Sequence, residues 1–505
     1  MDLNTNTGNN KLMKLSKQQL AAVDAIKNGR QSIILSAVAG AGKTSTLIEM
    51  LNATDGSVAF CAFNKPIADE IQNRIEQKNI NKNVRVGTVH SFGFGAVRRA
   101  FPNVALDDHK LRNIANEKFR GKHLSLKEFV ISSVRLAKET GIGAVVEDTH
   151  KNWFDLFDRY NLWDLIPKEF TDDNAVVASQ FLLKKSNETK DVIDFSDMIY
   201  IPILHNLKVW QYDYVFLDEA QDTNATRRKL IRMMLKPNGQ LVAVGDVHQA
   251  IYGFTGADHN SLNLIQEEFC AKELPLSVTF RCPKNVVKVA KKYVDHIESH
   301  SNSPDGIVDE CTIQELPNLV TQYDAIICRN TKPLIEVAYD LIRKKIPCKV
   351  EGRSIGEGLV KLATKWKCRN VQQLTHKLNE YKENEIKKHK EKDNLQLCQM
   401  IEDQVESLYV FIDQCYLSDS ITTLTDKIKE IFDDTQDKQI LVLSTIHKSK
   451  GREFPRVFVL GMDAYSPSKW AKKDWELQQE TNLVYVQVTR AMNHLTMVNV
   501  NQEEK

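Results

Sequence analysis

The sequence predicts an α/β protein built on parallel sheets, and three observations carry that prediction. Residues 32–36 hold the apolar run Ile33-Ile34-Leu35, which suits a strand buried on both faces. Small residues follow at once, and a helical stretch spans 44–52. A second apolar run, Tyr214-Val215-Phe216-Leu217, ends abruptly in Asp218-Glu219-Ala220-Gln221-Asp222. A third, Ala325-Ile326-Ile327-Cys328, lies far beyond both, and 505 residues are enough for more than one domain.

The first element has a chemical purpose. Residues 37–44 read Ala-Val-Ala-Gly-Ala-Gly-Lys-Thr between strand and helix, the context of a phosphate-binding loop. Gly40 and Gly42 permit a tight backbone, so that N–H groups along Ala39, Gly40, Ala41, Gly42 and on to Ser45 converge on phosphates at a helix N-terminus. Lys43 supplies a point charge to the β- and γ-phosphates, and the Thr44 hydroxyl can ligate Mg²⁺. Ala37 stands where the pattern has its first glycine and is nearly as small. The competing explanation is a Gly/Ala-rich turn with a chance Gly-Lys-Thr.

The second element complements the first. Asp218, at a strand end, can hold the Mg²⁺ bound to Thr44, and Glu219 can orient and deprotonate an attacking water. Alone, this would be a solvated acidic turn. Together the two elements predict binding of ATP with Mg²⁺ and its hydrolysis.

Composition sets limits. The hydrophobic content of 42% is ample for globular cores. A net charge of +2 gives no bulk basic signal, so any nucleic-acid contact must come from local arrangement. Nine scattered cysteines without a Cys-x-x-Cys pair argue for reduced thiols in a cytoplasmic setting (the host cytoplasm if the chain is viral), with no zinc ribbon or iron–sulfur cluster. Residues 1–14 read as a flexible tail, and no run of 18 apolar residues predicts a membrane span.

Further motifs follow in order: Leu15-Ser16-Lys17-Gln18-Gln19, Ala62-Phe63-Asn64-Lys65, Thr88-Val89-His90-Ser91-Phe92, residues 244–257 around Gln249 and Tyr252, residues 276–281, Thr445-Ile446-His447-Lys448-Ser449-Lys450-Gly451-Arg452-Glu453-Phe454, and residues 483–491 ending Thr489-Arg490-Ala491. This series, with the cradle and the acidic pair, resembles superfamily 1 helicases of the UvrD/Rep type across residues 15–491. The spelling Ala-Phe-Asn-Lys is similar to F-box-type DNA helicases of that family, although no F-box segment is evident in these residues.

The resemblance implies two RecA-like P-loop domains with parallel sheets, each carrying a mainly helical insertion. The first motor domain, 1A, takes residues 15–92 and 191–275, with insertion 1B at 93–190. The second, 2A, takes 276–355 and 437–505, with a reduced 2B insertion at 356–436. It also implies roles. Gln19 reads the adenine and Phe280 stacks on it; Glu453 lies near the sugar. Gln249 meets the γ-phosphate or its water, and Arg281 and Arg490 close on the phosphates from the second domain. Phe63, Asn64, Lys65, Thr88, His90, Tyr252, Phe254 and His447 face the DNA. Tyr252 and Phe254 would stack on bases without reading sequence, whereas the short polar and basic groups would position phosphates. The competing explanation for His90 and His447 is that they are ordinary hydrogen-bonded histidines.

The function implied is an ATP-dependent motor on single-stranded DNA and at single-strand/duplex junctions. It would move 3′-to-5′, with single-strand-binding or recombination proteins as candidate partners. The alternatives are a translocase that strips bound protein with little unwinding, and a slow ATP-switched binding or loading factor. Between Gly358 and Gly451 there is neither glycine nor proline, which predicts long helices with few tight turns. A 2B insertion this short predicts a monomer with little autoinhibition.

Overall fold

The apolar runs become strands flanked by helices on both faces. The computed structural model describes residues 15–80, 83–160, 162–252, 260–391, 395–432, 440–472 and 474–500. Among these, a first six-stranded sheet runs in the order Val84–Thr88, Val58–Ala62, Tyr212–Leu217, Leu235–Gly245, Ile33–Ala37, Lys272–Leu276. Every neighbouring pair is parallel. Strand Val58–Ala62 is buried at all five positions, so its sequence is continuously apolar rather than alternating.

The second sheet is also six-stranded and parallel, in the order Ile307–Thr312, Ala491–Asn499, Phe454–Leu460, Ala325–Cys328, Leu441–Thr445, Cys348–Val350. The expected α/β class with two parallel sheets is therefore what the chain adopts. One hydrophobic cluster joins the sheets, running from Leu35 and Phe60 in the first to Val459 and Leu495 in the second.

Helices Lys110–Lys118, Lys127–Thr140, His150–Arg159 and Asp172–Glu188 interrupt the first domain. They enclose their own core around Trp153, Phe157 and Leu182. Beneath them lies a fully buried ion cluster. Lys110 reaches Asp197 at 2.7 Å, and Lys138 reaches Asp194 at 2.7 Å and Asp197 at 2.6 Å. Lysines this deep persist only when paired, and the pairing fixes the loop that carries Phe195 next to the strand ends.

Helices Arg353–Thr364, Val371–Lys390, Leu395–Ile412 and Ile421–Ile431 form the second insertion. They do not enclose a separate core. Leu374, Val405, Phe411 and Ile428 share one cluster with Ile326, Leu443 and Phe458 of the second sheet. No helix among the described residues is long and apolar enough to cross a membrane.

Candidate functional site

The loop after strand Ile33–Ala37 forms the cradle. Gly40 (φ +72°) and Gly42 (φ +76°) adopt left-handed conformations that side-chain-bearing residues rarely take. At Gly40 an added Cβ would lie 2.5 Å from the Arg281 Cβ, so only hydrogen fits between the loop and the second domain. Gly42 caps helix Lys43–Asn52. The Gln19 amide lies behind the loop, donating to Thr46 Oγ1 at 3.0 Å, while its oxygen accepts the Ser16 N–H at 2.9 Å. In this state Gln19 braces the cradle and its helix N-terminus together.

Lys43 Nζ donates to Glu219 Oε1 at 2.7 Å, and Thr44 Oγ1 to Asp218 Oδ2 at 3.0 Å. Glu219 holds a left-handed φ of 52°, a strained position for a residue with a side chain and one typical of functional turns. Burial would lower the Lys43 pKa, but the carboxylates of Glu219, Asp218 and Asp246 outweigh it and keep the ammonium charged. Burial and the neighbouring Glu219 charge push Asp218 up, whereas Lys43 and Lys450 hold Glu219 down against its own burial. The Thr44 hydroxyl and the Asp218 carboxylate are hard oxygen donors facing each other at the loop mouth, a donor set that fits Mg²⁺.

The second domain closes from the other side. Arg490 is 1% exposed, and its guanidinium donates to Gln249 Oε1 at 3.3 Å and to the carbonyls of Arg452 (3.1 Å) and Val486 (3.0 Å). Burial and the Arg281 charge lower its pKa to about 10, so it remains cationic at neutral pH. Gln249 in turn donates to Asp246 Oδ2 at 2.6 Å. Arg281 pairs with Glu453 and donates to the Thr489 carbonyl at 3.2 Å. Glu453 thus serves here as the counter-ion of Arg281. Phe280 donates its N–H to the Gly40 carbonyl at 2.9 Å, and its ring lies 5.0 Å from His300.

Several site residues were not assigned a role from sequence. Tyr485 is fully buried, and its hydroxyl accepts the Ala39 N–H at 2.9 Å. Lys450 donates to Asp222 Oδ2 and to the Gln249 carbonyl, both at 2.7 Å, and lies 4.7 Å from the Tyr252 ring centroid. Asn482 donates to the carbonyls of Val247 (3.2 Å) and Ala250 (3.0 Å). Lys450 and Tyr485 fall inside motifs recognised in the sequence, but nothing local marks their partners.

A cleft of about 370 Å³ opens beside the acidic turn, lined in part by Asn64, Lys65, Thr88, His90, Phe195 and Arg227. Phe63, 41% exposed, stacks on Tyr252 at 6.3 Å, and the Tyr252 hydroxyl donates to the His447 carbonyl at 3.2 Å. Asn64 and Thr88 cap the helices Lys65–Gln77 and Val89–Ala100, so their side-chain oxygens already accept backbone N–H groups. Ser45 and Lys65 are exposed. Phe254 lies outside the described residues. Phe195, 53% exposed, stacks on His90 at 4.0 Å; no sequence motif assigned it a role.

Burial lowers the His90 and His447 pKa values to about 3, aided by the charges of Arg227 and Arg329 respectively. Both rings are neutral at physiological pH. His90 Nε2 is buried and has no hydrogen-bond partner among the described residues, unlike a satisfied core histidine. Unfolded, each ring protonates below its ordinary value of 6.5. Stability should therefore fall as pH drops from 6.5 toward 3, by at most about 1.4 kcal/mol per pH unit per histidine. His90→Gln should flatten that slope, measured as the urea midpoint between pH 7 and pH 4. An unchanged slope would mean that His90 already titrates normally in the fold.

Residues 15–270 match the family model of the UvrD/REP helicase N-terminal domain, and residues 357–502 match the UvrD-like helicase C-terminal domain. The chain belongs to the UvrD/Rep helicase family. It is 24% identical to F-box DNA helicase protein 1 of Schizosaccharomyces pombe, over 96% of this chain and 57% of that protein. It is 23% identical to the ATP-dependent DNA helicase Rep of Buchnera aphidicola subsp. Acyrthosiphon pisum, over 96% of this chain and 94% of that one. Identity to the ATP-dependent DNA helicase PcrA of Staphylococcus epidermidis is 24%, over 56% of this chain and 40% of PcrA. The chain thus spans about half the length of several curated UvrD/Rep relatives that it matches.

Proposed function

We propose that the chain is an ATP-dependent motor that moves 3′-to-5′ along single-stranded DNA and unwinds duplex ahead of it. The observation that carries this is the short segment 246–252. Gln249, bonded to Arg490, and Tyr252, stacked on Phe63, are three residues apart on one stretch of backbone. Nucleotide occupancy at the first would therefore bear on an aromatic platform at the second. In this function Lys43 and the cradle N–H groups hold ATP, and Glu219 orients the attacking water. Arg281 and Arg490 meet the phosphoryl charge from the second domain. Mg²⁺, held by Thr44 and Asp218, would supply charge neutralisation at the phosphates. The 3′-to-5′ polarity comes from the family likeness.

The test is strand displacement with ATP and Mg²⁺ on duplexes bearing a 3′ tail, a 5′ tail or blunt ends, with phosphate release followed in the same samples. The expected result is unwinding of the 3′-tailed duplex, by monomers under single-turnover conditions. Unwinding from the 5′ tail would keep the motor and reverse its direction. DNA-stimulated hydrolysis without unwinding would point to a translocase that strips bound protein. Hydrolysis indifferent to DNA would remove the motor assignment.

A further inference from the structure

A second pocket, of about 200 Å³, lies where the second insertion meets the second sheet. It opens near the C-terminal ends of the parallel strands Ala325–Cys328 and Leu441–Thr445, the edge at which open α/β sheets take their ligands. Helix Leu395–Ile412 of the insertion contributes Gln399, Met400 and Asp403 to its wall, and Trp470 lines it from the segment before helix Asp474–Val488. The remaining wall includes His447. The carbonyl of that residue accepts the Tyr252 hydroxyl at 3.2 Å, and Tyr252 stacks on Phe63. The pocket is thus the next station on a line that starts at Phe63 and crosses both domains.

Its chemistry narrows what fits. The carboxylates of the wall are already engaged: half-buried Asp403 accepts the N–H groups of Thr331 (3.0 Å) and Lys332 (3.4 Å), buried Glu476 accepts the Lys472 N–H at 3.0 Å, and buried Glu480 is clamped by Arg329 at 2.7 Å. A phosphate entering beside them would meet like charge. A neutral planar group would instead meet the Met400 side chain, 58% exposed, the indole of Trp470, and amides that can pair with its edge. The lining cation, Arg329, is taken up by Glu480, and two further cations flank Trp470: the ammonium groups of Lys390 and Lys469 lie 5.3 and 5.2 Å from its ring centroid, Lys469 also pairing with Glu402 at 3.1 Å. The volume is below the roughly 300–1,000 Å³ of sites that enclose drug-sized ligands, which suits one heterocycle rather than a whole nucleotide.

We propose that this pocket receives a single unpaired nucleobase from the strand that passes His447, making the reduced insertion part of the DNA track. The proposal rests on the single-strand function above. It is tested with 2-aminopurine placed one nucleotide at a time along the 3′ tail of a partial duplex, whose junction fixes the register, bound to the full chain. The expected result is quenching at two separated positions. Phe63→Ala should relieve one. Trp470→Leu and, independently, the surface change Met400→Ala should relieve the other, with Trp470→Leu weakening single-strand binding about tenfold. If both variants bind the tail and every quenched position keeps its wild-type signal, the pocket takes no base. If the wild type binds no tail at all, the single-strand function fails, and the pocket assignment falls with it.

Discussion

Lys43→Ala should abolish ATP hydrolysis, with turnover falling on the order of 10³ or more, while single-stranded DNA binding survives within a few-fold. Two losses coincide. The cradle loses the charge that would meet the β- and γ-phosphates, and Asp218, Glu219 and Asp246 lose the ammonium whose field they share. DNA binding survives because Phe63, Tyr252, His90 and His447 are held by their own contacts, none of which involves Lys43. Phosphate release and fluorescence anisotropy on a labelled single strand, in one preparation, check both halves. A thermal melt belongs beside them, because removing one partner of a partly buried ion pair destabilises the fold. Hydrolysis within tenfold of wild type would mean that Lys43 does not serve the phosphates. Loss of DNA binding without loss of fold would mean that the cradle and the DNA face are not separable.

Part of this architecture was legible because it is written locally. The cradle needs only a strand, two glycines and a helix start in immediate succession, and the structure places all three within residues 33–52. The acidic pair was legible because strand Tyr212–Leu217 is apolar up to the residue where the charges begin. The parallel class followed from strands without alternation. The contacts that join the domains were not legible. Tyr485 and Ala39 are 446 residues apart, and Lys450 and Asp222 are 228 apart. A buried tyrosine in an apolar helix looks like core until the loop it touches is known. Glu453 illustrates the same limit: nothing local in its motif marks its partner here, an arginine from another motif. Phe195 was hidden because its exposure depends on the buried pairing of Asp194 and Asp197, set by lysines from two distant helices.

Arg490→Ala should slow hydrolysis on the order of 10³ while leaving ATP affinity within a few-fold, the signature of an arginine that acts on transition-state charge. Arg490→Lys should not restore turnover, because an ammonium cannot reproduce the guanidinium fork that spans Gln249 Oε1, the Arg452 carbonyl and the Val486 carbonyl. The burial of Arg490 raises a second explanation, in which its one task is to hold Gln249 in place. A double-mutant cycle separates the two. If Arg490 acts solely through Gln249, then Gln249→Ala should reproduce the full loss, and the double variant should be no slower than either single one. If Arg490 meets the phosphoryl group itself, the losses should compound, and Arg490→Ala should remain the slower of the two single variants. Near-normal turnover in Arg490→Ala would leave Arg281 as the sole arginine assigned to the phosphates.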